Sequence, residues 1–122
     1  MSTTLAQLQT DTFQWFNLCL PGVEYANLKE RAFRFLEESL ELVQSLGVTE
    51  EEINKLIKYT YSRPLGSPAQ EVGGVMLTLA VLCTIADLDL ESCAVNELLK
   101  VSNPSVMQKI REKQASKRLI ME

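Results

Sequence analysis

The segment that most strongly indicates the architecture of this chain is Gln70-Glu71-Val-Gly-Gly-Val-Met-Leu-Thr-Leu-Ala-Val-Leu-Cys-Thr-Ile-Ala86. From Val72 onward its only polar side chains are Thr78 and Thr84, and a Thr hydroxyl can bond a carbonyl one turn back. A helix that is apolar on all sides is typical of a buried helix. The stretch therefore predicts the central helix of an all-α helical bundle. Its Gly73-Gly74 pair, unfavourable in a helix by about 1 kcal/mol per residue, indicates that another backbone or a ligand comes close.

Helical periodicity and chain breakers predict five further helices, and we find no alternating pattern typical of strands. The chain is expected to form one domain over residues 1–122, with residues 1–24 as an N-terminal helix and linker and residues 25–118 as core helices. Thr49 followed by Glu50-Glu51-Glu52 predicts a capping box. The predicted helices cover residues 5–18, 25–46, 50–62, 68–86, 90–101 and about 104–117.

Composition excludes several classes of function. The 122 residues include no His, which excludes Ser-His-Asp and Cys-His catalysis and imidazole zinc sites. The net charge of −4 disfavours binding to a nucleic-acid polymer. Three features predict a cytoplasmic protein outside the membrane. The three cysteines form no CxxC pair, and no signal peptide is recognisable. The apolar run over residues 72–86 is shorter than the roughly 20 residues of a membrane span.

The second predicted helix carries a cluster of carboxylates. Glu38 and Glu41 lie three residues apart, and Glu37 and Glu41 lie four residues apart, which places all three on neighbouring positions of one side of a helix. Because no cation lies between Glu37 and Leu46, a divalent cation such as Mg²⁺ is one candidate to neutralise the cluster. A solvated acidic face explains the same pattern without any function. Glu71 likewise has two interpretations, as a ligand directed into the bundle or as a first-turn acid favoured by the helix dipole.

Two segments together resemble a known family. They are Arg34-Phe-Leu-Glu-Glu-Ser-Leu-Glu-Leu-Val-Gln44 and Arg63-Pro-Leu-Gly-Ser-Pro-Ala-Gln-Glu-Val-Gly-Gly-Val75. This pairing is similar to the all-α nucleoside triphosphate pyrophosphohydrolases of the MazG-like group, in a phage or bacterial branch. The resemblance implies a helical bundle with a four-helix metal-binding core. The family pattern is EExxE on one helix and ExxD on a later one, and this chain has Gly74 at the position of the Asp.

The resemblance also implies roles for particular residues. Glu38, Glu41 and Glu71 would hold Mg²⁺, or Mn²⁺ in its place, and Glu37 or Glu41 would orient or deprotonate the attacking water. Three lysines on the last helix, which recur every four residues, would contact the substrate phosphates: Lys109, Lys113 and Lys117. A solvated basic face is the alternative interpretation of these lysines.

The implied reaction is hydrolysis of a nucleoside triphosphate, NTP or dNTP, to the monophosphate and pyrophosphate. No GxxxxGK[ST] motif is present, so a Walker-type NTPase is excluded. The family's cores commonly assemble from several chains, which implies a homodimer or homotetramer. The rival hypotheses are a non-catalytic helical interaction protein and a nucleotide-sensing protein, either of which would have kept the fold after losing the Asp at position 74.

Overall fold

The computed structural model describes residues 3–121, with side-chain surroundings through residue 117, and this part of the chain is all-α. Six helices and no strand occur in it. The all-α prediction is therefore confirmed. The helices are α1 (Leu5–Cys19), α2 (Leu28–Ser45), α3 (Glu50–Tyr61), α4 (Pro68–Ile85), α5 (Leu90–Val101) and α6 (Pro104–Met121).

Side-chain caps begin the helices where the sequence predicts them. The Glu52 backbone N–H donates to Thr49 Oγ1 at 3.2 Å, and the Thr49 N–H donates to Glu52 Oε1 at 2.9 Å, which completes the predicted capping box. Asp89 caps α5 by accepting from the Ser92 N–H at 2.8 Å. Because an N-terminal turn has unpaired N–H groups, each cap satisfies a donor that the helix itself leaves free.

One predicted boundary is wrong. The sequence predicts that the second helix begins at Tyr25, whereas α2 begins at Leu28. Gly22 has a φ of 131°, a left-handed conformation that favours glycine, and the Tyr25 N–H donates to the Gly22 carbonyl at 3.3 Å. This turn uses the residues that periodicity alone had assigned to the helix.

The chain divides into two compact units. The first unit contains the residues up to Asn27 and those from Leu79 onward, and the second unit is Leu28–Thr78. In the first unit, α6 packs against both α1 and α5. The second unit contains α2, α3 and the first part of α4.

Two long side chains connect the helices of the first unit. Trp15 Nε1 on α1 donates to the Val101 carbonyl at the end of α5, at 2.8 Å. Arg111 on α6 donates from Nε to the Cys19 carbonyl at 2.8 Å and from Nη2 to the Leu18 carbonyl at 3.3 Å. The cation thus satisfies C-terminal carbonyls of α1, where a positive charge also complements the helix dipole.

Few residues are buried. Among the described side chains only Cys19, Leu20 and Cys83 are buried, and only Cys83 of these lies on α4. Burial raises the pKa of the Cys19 thiol, and the Arg111 charge offsets part of that rise. The expectation of a fully buried α4 is therefore not met within this single chain, because most of its apolar side chains are exposed. Helix α4 is the most apolar of the six helices, but in the described chain little packs against it.

Helix α4 is also relevant to the expected absence of a membrane span. Among the described residues, Pro68–Ile85 is the one helix that is long and apolar enough to cross a membrane, judged by length and composition alone, with 18 residues and a hydropathy of 1.4. Core helices of water-soluble proteins have the same properties. The apolar helix of the structure therefore begins at Pro68, four residues before the apolar run counted from the sequence. The location of the protein stays a prediction.

Replacement of Arg111 tests whether its hydrogen bonds to α1 stabilise the first unit. We expect Arg111→Met to lower the free energy of unfolding by about 1.5–3 kcal/mol, because it removes charge-assisted hydrogen bonds to two helix-terminal carbonyls. Urea unfolding at fixed protein concentration measures the change. Lys113→Met on the same helix is the matched control, and we expect a loss within about 0.5 kcal/mol. Equal losses from the two variants would refute the role given to Arg111.

The capping box predicts a pH dependence. Hydrogen bonds from the Thr49 backbone and side chain lower the pKa of Glu52. A carboxyl whose folded pKa is depressed stabilises the fold above its unfolded pKa of about 4.3, and that contribution is lost as the pH falls through the folded value. We therefore expect the urea midpoint of unfolding at pH 6 to be higher for the wild type than for Glu52→Gln. This difference should shrink near pH 2. A difference independent of pH would contradict the assignment.

Candidate metal and phosphate site

An ion-pair ladder occupies one side of α2. Arg34 Nε lies 3.5 Å from Glu30 Oε1, and Arg34 Nη1 donates to Glu37 Oε1 at 3.4 Å. The Arg34 and Glu30 side chains are each only 11% exposed. Glu37 therefore has a cationic neighbour one turn upstream, which weakens the argument that its charge requires a metal ion.

Glu38 and Glu41 are the two carboxylates of the cluster whose exposure and spacing suit a bound ion. Both residues are exposed on α2, and they lie three residues apart, so their side chains leave the helix on adjacent turns. Two carboxylates are enough protein ligands for Mg²⁺, which keeps several waters and takes further oxygens from substrate phosphates. The donor set on α2 therefore fits a magnesium–phosphate complex.

Glu71 lies in the first turn of α4 and is exposed. Its carboxylate lies over the preceding loop, where a Cβ added to Gly66 would come within 2.5 Å of Glu71 Oε1. The absence of a side chain at Gly66 makes this position possible. Glu71 belongs to the same unit as Glu38 and Glu41.

The three predicted ligands do not form a cluster in the single chain. Within residues 3–121, no group of three or more His, Cys, Asp or Glu side chains is arranged to hold a metal ion. The structure therefore places Glu38 and Glu41 together on α2 without bringing Glu71 to them. The assignment of all three to one metal site stays a prediction.

The two glycines of α4 face open space. A Cβ added to Gly73 or Gly74 would meet nothing within 4 Å. The close neighbour that the sequence predicts for this pair is therefore not part of the described chain. The described chain therefore leaves open space beside the backbone of Gly74, where the family pattern has Asp.

The predicted phosphate ligands lie in the first unit. Lys109 and Lys113 are exposed on α6, and Lys117 is half-buried. Their spacing of four residues places them along one side of the helix, as predicted. Arg111, on a different side, is engaged with the carbonyls of α1 and is structural.

A groove in the first unit was not predicted from the sequence. It has a volume of about 330 Å³ and is lined mainly by α1 and α5, including Leu8, Asp11, Trp15, Val95 and Leu98. The ring of Trp15 is positioned by its bond to the Val101 carbonyl. In the sequence, one signal could have indicated this groove: the spacing of Leu8, Asp11 and Trp15, which places the three residues on one face of α1.

The chain matches no family model, no curated protein and no solved structure. The function must therefore be argued from the residues of this chain.

The space beside Gly74 allows a direct test of the metal assignment. We expect Gly74→Asp to tighten Mg²⁺ binding by about tenfold, the order of effect that a supporting ligand group has on metal affinity. Asp at position 74 lies one turn from Glu71, so the two carboxylates share a helix side. Gly73→Asp is the matched control, because it adds the same carboxylate in equally open space on another side. Calorimetric titration with Mg²⁺ measures both, and equal affinities would count against a site at Glu71.

Proposed function

We propose that the chain is a Mg²⁺-dependent nucleoside triphosphate pyrophosphohydrolase, which cleaves NTP or dNTP to the monophosphate and pyrophosphate. The observation that carries the proposal is the pair of exposed carboxylates, Glu38 and Glu41, on adjacent turns of α2. The segment Glu71-Val-Gly-Gly at the start of α4, which resembles the second acidic motif of the MazG-like group, adds support. We further propose a four-helix metal-binding core and a location in the cytoplasm.

The chemistry requires little beyond these residues. Glu38, Glu41 and Glu71 would hold Mg²⁺, with Mn²⁺ as an alternative, and the ion when bound would neutralise charge on the phosphate oxygens. Glu41 or Glu37 orients a water toward the α-phosphorus and accepts its proton as the new P–O bond forms. The bond between the α-phosphorus and the bridging oxygen breaks, and pyrophosphate leaves with that oxygen.

Cationic side chains are the natural contacts for the leaving group. Lys109, Lys113 and Lys117 present up to three ammonium groups along one side of α6. An ammonium group binds phosphate as a point charge, so a row of them suits a polyphosphate better than a single phosphate.

A nucleotide-binding protein without turnover is the second candidate. Gly74 stands where the family pattern has Asp, and Glu71 does not join Glu38 and Glu41 in the single chain. A non-catalytic helical interaction protein would explain the same two facts.

Carboxamide substitutions separate these functions. With Mg²⁺ and a panel of NTPs and dNTPs, we expect pyrophosphate release from wild type and a fall of about 10²-fold or more in Glu38→Gln and Glu41→Gln. Glu51→Gln is the matched control, because Glu51 is an exposed glutamate of α3 whose ion pair is with Lys55, at 3.7 Å. We expect its activity to stay within about twofold of wild type.

Two results would overturn the enzymatic proposal. Absence of pyrophosphate with every nucleotide, together with nucleotide binding, would establish the sensing protein. Absence of both turnover and binding would leave the interaction protein.

A further inference from the structure

The groove of the first unit is lined by two helix faces of different character. Helix α5 contributes an aliphatic wall, which includes Val95 and Leu98, three residues apart on one side of the helix. Helix α1 contributes one aromatic ring, Trp15, and two polar side chains, Asp11 and Gln14. The volume of about 330 Å³ lies at the lower end of the range of about 300–1,000 Å³ that is typical of small-molecule sites. These walls suit a small, flat ligand with a polar edge.

The indole of Trp15 is held in one orientation. Its Nε1 donates to the Val101 carbonyl at 2.8 Å, which ties α1 to the end of α5. This bond satisfies the only polar atom of the side chain, so the ring offers the groove a face for stacking. A long side chain on a helix leans toward the N-terminus, over the turn before it, and for Trp15 this is the turn of Asp11. The ring and the Asp11 carboxylate are therefore neighbours in the groove.

The Asp11 carboxylate is positioned as well. Gln7 Nε2, one turn upstream on the same helix, donates to Asp11 Oδ1 at 2.7 Å. A carboxylate has about four acceptor positions on its two oxygens, and this bond uses one of them. Asp11 is half-buried where it lines the groove. A ligand that brings N–H groups to this end of the groove therefore finds a fixed acceptor.

A carboxylate that accepts two parallel N–H bonds distinguishes one nucleobase from the others. Guanine has two adjacent donors on its Watson–Crick edge, N1–H and the N2 amino group. Adenine and cytosine have a ring acceptor beside the amino group, and the N3–H of uracil lies between two carbonyl oxygens, so each would bring an acceptor against the carboxylate. Guanine also has an acceptor, O6, beside N1–H. Gln14 lies three residues from Asp11 on the same side of α1 and carries an amide that can donate to O6.

We propose that the groove between α1 and α5 binds a guanine base, which stacks on Trp15, donates its N1–H and N2–H to the Asp11 carboxylate and accepts at O6 from the Gln14 amide.

Two other classes of ligand fit the groove less well. A purely apolar ligand, such as an acyl chain, would remove water from the Asp11 carboxylate without supplying a hydrogen bond. An alkylammonium ion would pair with Asp11 and Trp15, but the aliphatic wall from α5 would take away its hydration without compensation. A neutral base loses less hydration than an ion and places apolar ring atoms against that wall.

The inference does not depend on the proposed hydrolysis. The groove belongs to the first unit, whereas Glu38 and Glu41 belong to the second. Its tests measure binding of nucleoside monophosphates without a metal ion, a condition under which no pyrophosphate is released. Absence of hydrolysis therefore leaves the guanine site standing, and absence of guanine binding leaves the hydrolase standing.

Binding by the wild-type chain is the first test. Trp15 is the only tryptophan of the sequence, so its fluorescence reports on the groove. We expect guanosine monophosphate (GMP) to change this fluorescence with a Kd on the order of 100 µM or below, and calorimetry to give the same value. Inosine monophosphate lacks the N2 amino group and should bind about tenfold more weakly. The adenine, cytosine and uracil monophosphates should bind more weakly still.

Four results of this first test would overturn the inference. They are absence of GMP binding, equal binding of all the monophosphates, binding of GMP without binding of guanosine, and a stronger response to choline than to GMP. The third result would show recognition of the phosphate alone, and the fourth would assign the groove to a cation.

A change of base preference is the second test. Asp11→Asn replaces the carboxylate with an amide that accepts through one atom and donates through the other. Xanthine has an acceptor, O2, where guanine has the N2 amino group. We therefore expect Asp11→Asn to lose GMP affinity by about tenfold and to gain affinity for xanthosine monophosphate by a similar factor. Glu112→Gln is the matched control, because it removes one carboxylate from an exposed position of α6 outside the groove, and it should bind GMP as wild type does. Unchanged GMP binding in Asp11→Asn, or a loss without the gain for xanthosine monophosphate, would refute the contact with the base edge.

A pair of substitutions at Trp15 tests the stacking. Trp15→Phe keeps an aromatic face and Trp15→Leu removes it, and both variants lose the bond to the Val101 carbonyl. The comparison between them therefore isolates the contribution of the ring. We expect calorimetry to give GMP binding about tenfold weaker in Trp15→Leu than in Trp15→Phe. Equal affinities in the two variants would refute a stacked base.

Discussion

The constraint on which this structure depends most is the burial of apolar helix surface away from water. Helix α4 is apolar along nearly its whole length, and α2 has an apolar face, yet only Cys19, Leu20 and Cys83 are buried among the described side chains. Side-chain caps and ion pairs begin and order the helices, but each contributes about a kilocalorie per mole or less. Hydrophobic burial supplies the bulk of folding free energy. The second unit therefore leaves apolar surface that the described part of the chain does not cover, and the homodimer or homotetramer expected from the sequence would cover it.

The local structure could be predicted from the sequence, because it depends on neighbouring residues. Thr49 with Glu52, Asp89 with Ser92 and the all-helical pattern each follow from spacing within one or two turns. The start of α2 could not be predicted from periodicity, since the Tyr25 N–H donates to the Gly22 carbonyl in a turn that precedes the helix. The prediction that α4 is buried was not met for a different reason. The apolar pattern shows that the helix has surface to bury, but it does not show what packs against that surface.

The same distinction applies to the candidate site. The adjacency of Glu38 and Glu41 follows from helix geometry and holds in any assembly. The pairing of Arg34 with Glu37 could also have been anticipated from a spacing of three residues. The position of Glu71 relative to α2 is a tertiary matter that no local rule determines. An assembly of several chains, which stays a prediction, would also determine the surroundings of the carboxylates that we propose as metal ligands.

Hydrogen exchange of the α2 and α4 amides at several protein concentrations shows whether other copies of the chain cover these two helices. If other copies cover them, we expect the α2 amides to be protected as well as those of α1 at high concentration. On dilution we expect α2 to lose that protection while α1 and α6 change less. Slow exchange in α2 that is unaffected by dilution, in a chain that sediments as a monomer, would contradict this expectation.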